Sequence, residues 1–286
     1  MNIKYKGRTR KIERGLTVRK ALAEEIKNSE YEVIGCLYNN DYRNLETPIE
    51  EGANIELIDI SSKEGMKIYV RTIVYIMGKA FESLYPKEKL MVEYQLGNAM
   101  YCKCDNIKIT KEFTEKLKQK MQEIIEKDLP IKKVEMTRKE AQKFYDETDT
   151  SKGRLQFDFE ENDSIYMYYC EKYYNYCFGT LANRTGVIKI FDVVKYANGF
   201  LIRYPSSKEP AKMHSVLDVL TVYKLNKAIE EDRIKDVIML AEALHEKKIA
   251  NIADDITKRK NVKMVLIAGP SSSGKTTFAQ RLGIQL

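Results

Sequence analysis

Tryptophan is absent from this chain of 286 residues, and histidine, proline and cysteine are scarce. There are two histidines, six prolines and five cysteines. An odd number of cysteines without a secretory signal argues against a disulfide-stapled secreted domain and favours reduced thiols in a cytoplasmic protein. No apolar run approaches the roughly 20 residues needed to cross a bilayer, so we expect a soluble protein without membrane partners.

The overall composition is that of a folded protein with a moderate surplus of positive charge. Hydrophobic residues make up 43% and charged residues 32% of the chain, and the length suggests two or more domains. The net charge is +7, from 49 basic and 42 acidic residues spread along the sequence. This surplus permits anionic ligands but does not specify nucleic acid, which is possible as a partner and not favoured.

The segment that points most directly to chemistry lies near the end of the printed sequence. Residues 264–268 are apolar and predict a buried strand, and a helix is predicted from Phe278. Between them, residues 269–276 fit the pattern Gly-x-x-x-x-Gly-Lys-[Ser/Thr] without a mismatch. Glycines let the backbone fold around phosphate, and a helix N-terminus adds positive potential. The pattern predicts a nucleoside triphosphate site rather than a chance glycine–serine turn.

Each residue of this loop has a predicted role. We expect Lys275 to act on the outer phosphates of ATP as the catalytic cation, and the Thr276 hydroxyl to bind the Mg²⁺ that accompanies ATP. Only ten residues, 277–286, follow Thr276. They cannot supply the rest of a kinase sheet, so we expect the amino-terminal part of a longer enzyme, inactive by itself. The other phosphate-binding positions are Gly269, Ser271, Ser272, Ser273, Gly274 and Thr277.

The periodicity before the loop predicts an α+β protein of several domains. Residues 1–62 contain a hairpin turned at Lys6-Gly7, a helix capped by Thr17, and strands over 31–38 and 54–60. This pattern resembles a β-grasp domain, and a generic α+β module is the alternative. After it come a second domain over 63–206, a helical connector over 207–260 carrying Val216, Val219 and Leu220, and the start of a kinase domain over 261–286.

The predicted second domain mixes helices and strands. Residues 61–65 are a predicted linker. Helices are predicted over 66–84 and 111–127, and Thr137-x-x-Glu140 is a capping box that opens a third. The predicted strands cover 91–105 with a turn at Gly97-Asn98, 164–170, 187–194, and 200–204 after an Asn198-Gly199 turn.

Several segments resemble known families. Residues 73–80 (IVYIMGKA) and 176–181 (YCFGTL), with 121–131 and 137–141 between them, resemble the second additional domain of threonyl-tRNA synthetases in order and spacing. Residues 1–60 are similar to the TGS domain that precedes it. Residues 267–278 (IAGPSSSGKTTF) instead resemble a uridine kinase or phosphoribulokinase-type P-loop kinase. The combination resembles a bacterial family of fused nucleoside kinases.

This resemblance implies an ATP-dependent, uridine-kinase-like nucleoside kinase that transfers the γ-phosphoryl group to a ribose hydroxyl. Its synthetase-like domains are then regulatory or ligand-binding. The alternatives are a module that binds tRNA or another RNA, and a hydrolase that retains aminoacyl-tRNA editing.

The editing alternative depends on metal ligands that this chain has largely lost. The synthetase editing site carries H-x-x-x-H on its first helix and C-x-x-x-H later, a set able to bind Zn²⁺. The matching positions here are Tyr75, Lys79, Cys177 and Leu181. One thiolate and one amine do not hold a water-activating zinc, so we expect neither zinc nor editing. A four-thiolate zinc site is conceivable, but buried apolar cysteines are favoured; its members would be Cys102, Cys104, Cys170 and Cys177.

The same positions suggest an accessory pocket. Tyr75 and Lys79 lie one helical turn apart and share a face, so they could hold a ring beside an anionic group. Cys177, Thr180 and Arg184 could complete such a pocket from the opposing segment. In the alternative, Tyr75 fills the former cavity and Lys79 extends to solvent.

Overall fold

The structure is a computed structural model that describes residues 1–147, 164–213, 222–259 and 261–286. The chain divides into two compact units, residues 1–217 and residues 218–286. The described residues of the first unit form three sheets with helices packed on them, which confirms a mixed α+β fold. The predicted division into four domains is a finer one and stays a prediction.

The first sheet has five strands in the order β2-β1-β5-β3-β4. Strand β1 pairs with β2 antiparallel and with β5 parallel. The predicted hairpin turn is confirmed: Lys6 and Gly7 have φ of 49° and 74°, and a two-residue turn needs such positive values to match the twist of its strands. The strands are β1 Asn2–Tyr5, β2 Arg8–Lys11, β3 Val33–Tyr38, β4 Asp41–Arg43 and β5 Asn54–Asp59.

The helix of this lobe differs from its prediction. It is broken at Leu22 into α1 (Val18–Ala21) and α2 (Ala23–Lys27), and the Thr17 side chain makes no capping bond. The first two amides of α1, those of Val18 and Arg19, donate instead to the carbonyls of residues 47 and 45. Since the segment 45–47 already accepts hydrogen bonds from these two amides, which have no partner within the helix, a side-chain cap is not needed.

The second sheet has four strands in the order β11-β12-β7-β6, and helices α3 and α4 pack against it. Its predicted 91–105 hairpin and the 111–127 helix are confirmed. The predicted linker over 61–65 is wrong, because α3 begins at Lys63, where the Ser62 hydroxyl accepts from the Gly65 amide. The elements are α3 Lys63–Leu84, β6 Leu90–Gln95, β7 Ala99–Cys104, α4 Lys111–Glu126, β11 Asp192–Tyr196 and β12 Gly199–Arg203.

The third sheet contains β8 (Lys132–Thr137), β9 (Ser164–Cys170) and β10 (Tyr173–Asn175), with helix α5 (Arg138–Glu147) packed on one face. The predicted strand over 164–170 is confirmed. So is the capping box: the Thr137 amide donates to Glu140 at 2.8 Å, and the Glu140 amide donates back at 3.3 Å.

The strand predicted over 187–194 is wrong in its first half. A 3-10 turn covers Thr185–Val187, and the chain becomes extended in a sheet only at β11. The hydroxyl of buried Tyr69 accepts from the amides of Lys189 and Ile190 and donates to the Ile190 carbonyl. A side chain distant in sequence therefore replaces the strand partner that these groups would otherwise need.

The second unit contains α6 (Val222–Glu230), α7 (Ile234–Thr257) and α8 (Lys275–Gln285). The strand predicted over 264–268 does not form, because a strand needs a hydrogen-bonded neighbour and none lies beside it in the described part of this unit. Helix α8 begins at Lys275, three residues before its predicted start. The helix residues predicted at Val216, Val219 and Leu220 lie outside the described residues. Within the described residues, no helix is both long enough and apolar enough to cross a membrane.

Candidate functional site

The predicted phosphate loop leads directly into helix α8. Gly274 is the residue before that helix and has φ of 76°, and Ser272 has φ of 59°. A Cβ added at Gly269 would lie 2.9 Å from Ser273 Oγ, so a larger residue would crowd the loop. Both motif glycines thus stand at positions where a side chain is unfavourable.

Donor groups of the loop face solvent. Ser271, Ser272, Ser273, Thr276 and Thr277 are exposed. Within the described residues, the amides from Ser271 to Gly274 donate no main-chain hydrogen bond outside helix α8. The Lys275 ammonium donates to the Pro270 carbonyl at 2.6 Å, which folds the side chain back over the loop. Amides, hydroxyls and an ammonium at a helix N-terminus are groups that can bind an anion such as phosphate.

Tyr75, the first of the predicted accessory-pocket residues, is a core residue. It is 1% exposed, and its hydroxyl lies 3.1 Å from both the Tyr168 and Tyr173 carbonyl oxygens. Its ring packs edge-on against the Tyr173 ring, with centroids 5.1 Å apart. The hydroxyl proton is therefore shared between main-chain acceptors inside a buried cluster.

The space around Tyr75 is tightly filled. A Cβ added at Gly78 would come within 2.4 Å of the Tyr173 hydroxyl oxygen. That hydroxyl in turn accepts from the Asn175 amide at 2.8 Å. Leu181, where a synthetase has its last histidine, is fully buried in the same cluster. The geometry favours the alternative in which Tyr75 fills the former cavity.

Lys79 does not extend to solvent, so that part of the alternative is wrong. Its ammonium donates to the Cys170 carbonyl at 2.8 Å and to the Glu171 carbonyl at 3.0 Å, and its side chain is 12% exposed. These carbonyls belong to the turn between β9 and β10, where Glu171 and Lys172 both have positive φ. The lysine thus holds a tight hairpin turn through main-chain oxygens.

The structure gathers only some of the predicted pocket residues. Cys177 packs against the cluster of Tyr75, beside the helix that carries Lys79. Thr180 instead donates to the Tyr42 carbonyl at 2.7 Å, and Arg184 forms ion pairs with Asp128 and Glu32. The accessory pocket stays a prediction, and a ligand there would have to displace main-chain acceptors from Tyr75 and Lys79.

The contact between Lys79 and the turn can be tested by Lys79→Met, which keeps the alkyl chain and removes the charge. We expect it to lower the free energy of unfolding by about 1–2 kcal/mol, since the partly buried Cys170 carbonyl loses a charged donor and the exposed Glu171 carbonyl can turn to water. Urea unfolding would measure this. Lys67→Met is the matched control, because Lys67 lies on the same helix and, among the described residues, its ammonium pairs with Glu64 at the surface. Equal, small effects of both variants would contradict the assigned contact.

The four cysteines of the conceivable zinc site lie in two separate clusters, and Cys36 lies in a third. Cys102 and Cys104 are in the core beneath the second sheet, whereas Cys170 and Cys177 surround Tyr75. Burial raises the pKa of Cys104 to about 11 and that of Cys177 to about 12, so both thiols are protonated at neutral pH. Zinc binds thiolates, and burial opposes their formation here. Among the described residues, no three side chains of the metal-binding types are grouped.

Zinc content stays a prediction with a direct measurement. Elemental analysis of protein purified without added metal is expected to give well under one equivalent of zinc. A stoichiometric signal that disappears in Cys102→Ser or Cys104→Ser would overturn this expectation.

Sequence reasoning missed one cleft altogether. It lies within the first unit, between the lobe formed by residues 1–60 and the remainder, and has a volume of about 710 Å³. We call it the interlobe cleft. Two of its lining residues, Lys132 and Lys133, follow Leu129-Pro130-Ile131 directly. Most of the other lining residues are distant in sequence, so no local pattern indicated the cleft. Its lining residues are Arg19, Asn44, Glu46, Thr47, Pro48, Asp128, Pro130, Ile131, Lys132, Lys133, Asn183 and Arg184.

The chain is similar to threonine–tRNA ligases. It is 28% identical over 208 residues to that of Thermotoga petrophila, 27% over 199 residues to that of Caldanaerobacter subterraneus subsp. tengcongensis, and 27% over 203 residues to that of Clostridium tetani. These matches cover 68–70% of this chain but only 30–32% of each ligase, so the chain spans about a third of these relatives. No family model matches the chain.

The ligase similarity agrees with the predicted resemblance to synthetase domains. These ligase matches do not bear on the predicted kinase part, whose assignment rests on the loop from Gly269 to Thr277.

Proposed function

We propose that this chain is part of an ATP-dependent nucleoside kinase whose synthetase-like unit does not edit. The observation that carries the kinase proposal is the loop 269–277, in which the full phosphate-binding pattern meets a helix beginning at Lys275. Positive φ at Gly274 and the unpaired amides of the loop support a role in holding phosphate. The uridine-like substrate comes from the sequence resemblance.

Each loop residue has a specific task in this proposal. The amides of Ser271 to Gly274 and the hydroxyls beside them hold the outer phosphates. The Lys275 ammonium exchanges the Pro270 carbonyl for phosphate oxygens and offsets the charge that develops as the γ-phosphoryl group leaves. Thr276 would hold Mg²⁺, which when bound neutralises further phosphate charge.

A module related to tRNA is the second candidate for the first unit, and the comparisons support this candidate better than the kinase. Threonine–tRNA ligases match about 70% of the chain. The net charge of +7 is compatible with a nucleic-acid partner.

Editing hydrolysis has less support than RNA binding. At the positions that match the synthetase metal ligands, the Tyr75 hydroxyl and the Lys79 ammonium donate hydrogen bonds to main-chain carbonyls, and Cys177 is a neutral thiol. No arrangement there activates a water.

The kinase proposal is tested with the whole natural protein, by following ATP-dependent phosphorylation of a panel of nucleosides by chromatography. Conversion of uridine or a related nucleoside to its monophosphate supports it. If ATP binds but no nucleoside in the panel is phosphorylated, the loop serves another reaction and the kinase proposal fails.

The second candidate is tested by the binding of labelled tRNA at several salt concentrations. A true RNA interface loses affinity steeply with salt, with a slope set by the number of phosphates contacted. Release of the amino acid from charged tRNA, measured with the same preparation, would restore the editing hypothesis. Absence of both binding and release leaves the unit with neither tRNA function.

A further inference from the structure

An apolar ring is held in water by a fixed loop. The Phe178 side chain is 82% exposed, although the chain beside it is tied down. The Tyr168 hydroxyl donates to the Gly179 carbonyl at 2.9 Å, and the Thr180 hydroxyl donates to the Tyr42 carbonyl at 2.7 Å. Because this backbone is already ordered, covering the ring costs little further conformational entropy.

A cation without an acidic partner lies beside this ring. Gly179 follows Phe178 with φ of 91°, and a Cβ added there would lie 2.8 Å from Arg71 Cζ, so the absence of a side chain lets the guanidinium pack on the loop. Arg71 is partly exposed, and it forms no hydrogen bond or ion pair with the residues that the structure describes. Cys177 beside it is a neutral thiol, because burial raises its pKa to about 12. The charge of Arg71 is therefore available to an anion.

A second exposed ring belongs to Tyr42, which is 42% exposed. Tyr42 is paired with Leu37 on β3, so both side chains lie on one face of the first sheet. That face receives helix α3, since a Cβ added at Gly35, two residues before Leu37, would lie 3.1 Å from Ile68 Cδ1. Arg71 follows Ile68 on α3 by about one helical turn. The Tyr42 side chain therefore lies on the side of the sheet from which Arg71 approaches the loop.

We propose that Phe178, Arg71 and Tyr42 form a binding site for an unpaired nucleotide of a single-stranded RNA segment, and we call it the stacking site. A base stacks on the Phe178 ring, and the phosphate next to it binds the Arg71 guanidinium, whose planar fork matches phosphate oxygens. Tyr42 offers a second ring and a hydroxyl to the neighbouring nucleotide. The proposal rests on the tRNA-related candidate for the first unit and names the surface which that candidate uses.

Single-stranded RNA fits the stacking site better than a duplex or a mononucleotide does. Bases in a duplex are stacked on one another, so a projecting ring can reach only a base that has been freed. A small molecule needs a site that encloses most of its surface, whereas Phe178 projects into solvent. A strand instead adds phosphate contacts along its length, and the net charge of +7 favours them. Stacking on a ring face tolerates every base, so we expect little sequence preference.

The test is fluorescence anisotropy of labelled tRNA and of a labelled RNA strand of about eight nucleotides, each titrated with the whole chain at several salt concentrations. We expect Phe178→Ala to weaken binding about five- to a hundredfold, the usual effect of removing a stacked ring, and Phe178→Tyr, which keeps a ring, to bind within about twofold. Arg71→Gln should weaken binding about tenfold and reduce the salt slope by about one phosphate contact. The slope distinguishes a phosphate contact from a merely structural role of Arg71.

The matched controls are Tyr94→Ala for the ring and Lys116→Gln for the charge. Tyr94 is half exposed on the edge strand β6. Lys116 is exposed on α4 and has no acidic partner among the described residues. We expect both variants to bind RNA as the unsubstituted protein does.

Two results separate the stacking site from the candidate function on which it rests. If tRNA binds the unsubstituted protein and the Phe178 and Tyr94 alanine variants alike, the stacking site is wrong and the tRNA-related candidate stands. If neither RNA binds at any salt concentration, both fail. The stacking site is also overturned if UMP or AMP binds through Phe178 and Arg71 while the RNA strand does not, because the ligand is then a free nucleotide.

Discussion

Lys275→Ala in the whole natural protein is expected to lower nucleoside phosphorylation about a hundred- to a thousandfold. Lys275 is the loop cation placed to offset charge on the transferring phosphates, and losing one such group commonly costs two to three orders of magnitude in rate. Steady-state kinetics with saturating ATP and nucleoside would measure the loss. The fold should be unchanged, since the only hydrogen bond described for the ammonium is the exposed one to the Pro270 carbonyl.

Lys263→Ala is the matched control for this experiment. Lys263 is an exposed lysine in the same segment but lies outside the phosphate-binding pattern. Its replacement should leave turnover within about twofold. Equal turnover of the Lys275 variant and the unsubstituted protein would mean that another loop carries the reaction.

Tyr75→Ala is expected to lower the free energy of unfolding by about 3–5 kcal/mol, the usual cost of truncating a buried aromatic side chain. Tyr75→Phe removes only the hydroxyl, and about 1–3 kcal/mol should be lost because two buried carbonyls lose their donor. Denaturant unfolding measures both values, provided that the slope of the free energy of unfolding against denaturant concentration is the same for each variant.

The tyrosine variants also distinguish a filled cavity from the predicted ligand pocket. If Tyr75 lined an open pocket, Tyr75→Ala would cost little, and a metabolite would raise the melting temperature of the unsubstituted protein. Tyr94→Phe is the control, since Tyr94 is half exposed on an edge strand and should change stability by less than about 0.5 kcal/mol. A small loss in Tyr75→Ala would favour the pocket.

The parts of the fold that the sequence predicted well depend on local signals. The apolar stripe of the helix 111–127, the capping box at Thr137 and Glu140, and the hairpin turn at Lys6-Gly7 each involve residues a few positions apart. Local spacing is what periodicity and turn rules read. Strand β8 was missed because its alternation of lysine and glutamate with apolar residues is weak.

The candidate sites also differ in whether neighbouring or distant residues form them. The phosphate loop is continuous in sequence, so its pattern could be recognised from residues 269–277 alone. The partners of Tyr75 lie nearly a hundred positions away, on β9 and β10, and are main-chain carbonyls. No side-chain pattern encodes such acceptors, and the interlobe cleft likewise joins segments that only the folded chain brings together.

The contact between Lys79 and the β9–β10 turn bears on how this protein tolerates sequence drift. The ammonium binds the carbonyls of Cys170 and Glu171, and every amino acid presents a carbonyl. The main-chain part of the contact therefore does not depend on which side chains the turn carries, although the Glu171 carboxylate adds an ion pair at 3.8 Å. Lys79 has no such freedom, because its long flexible chain and charge are what reach those oxygens.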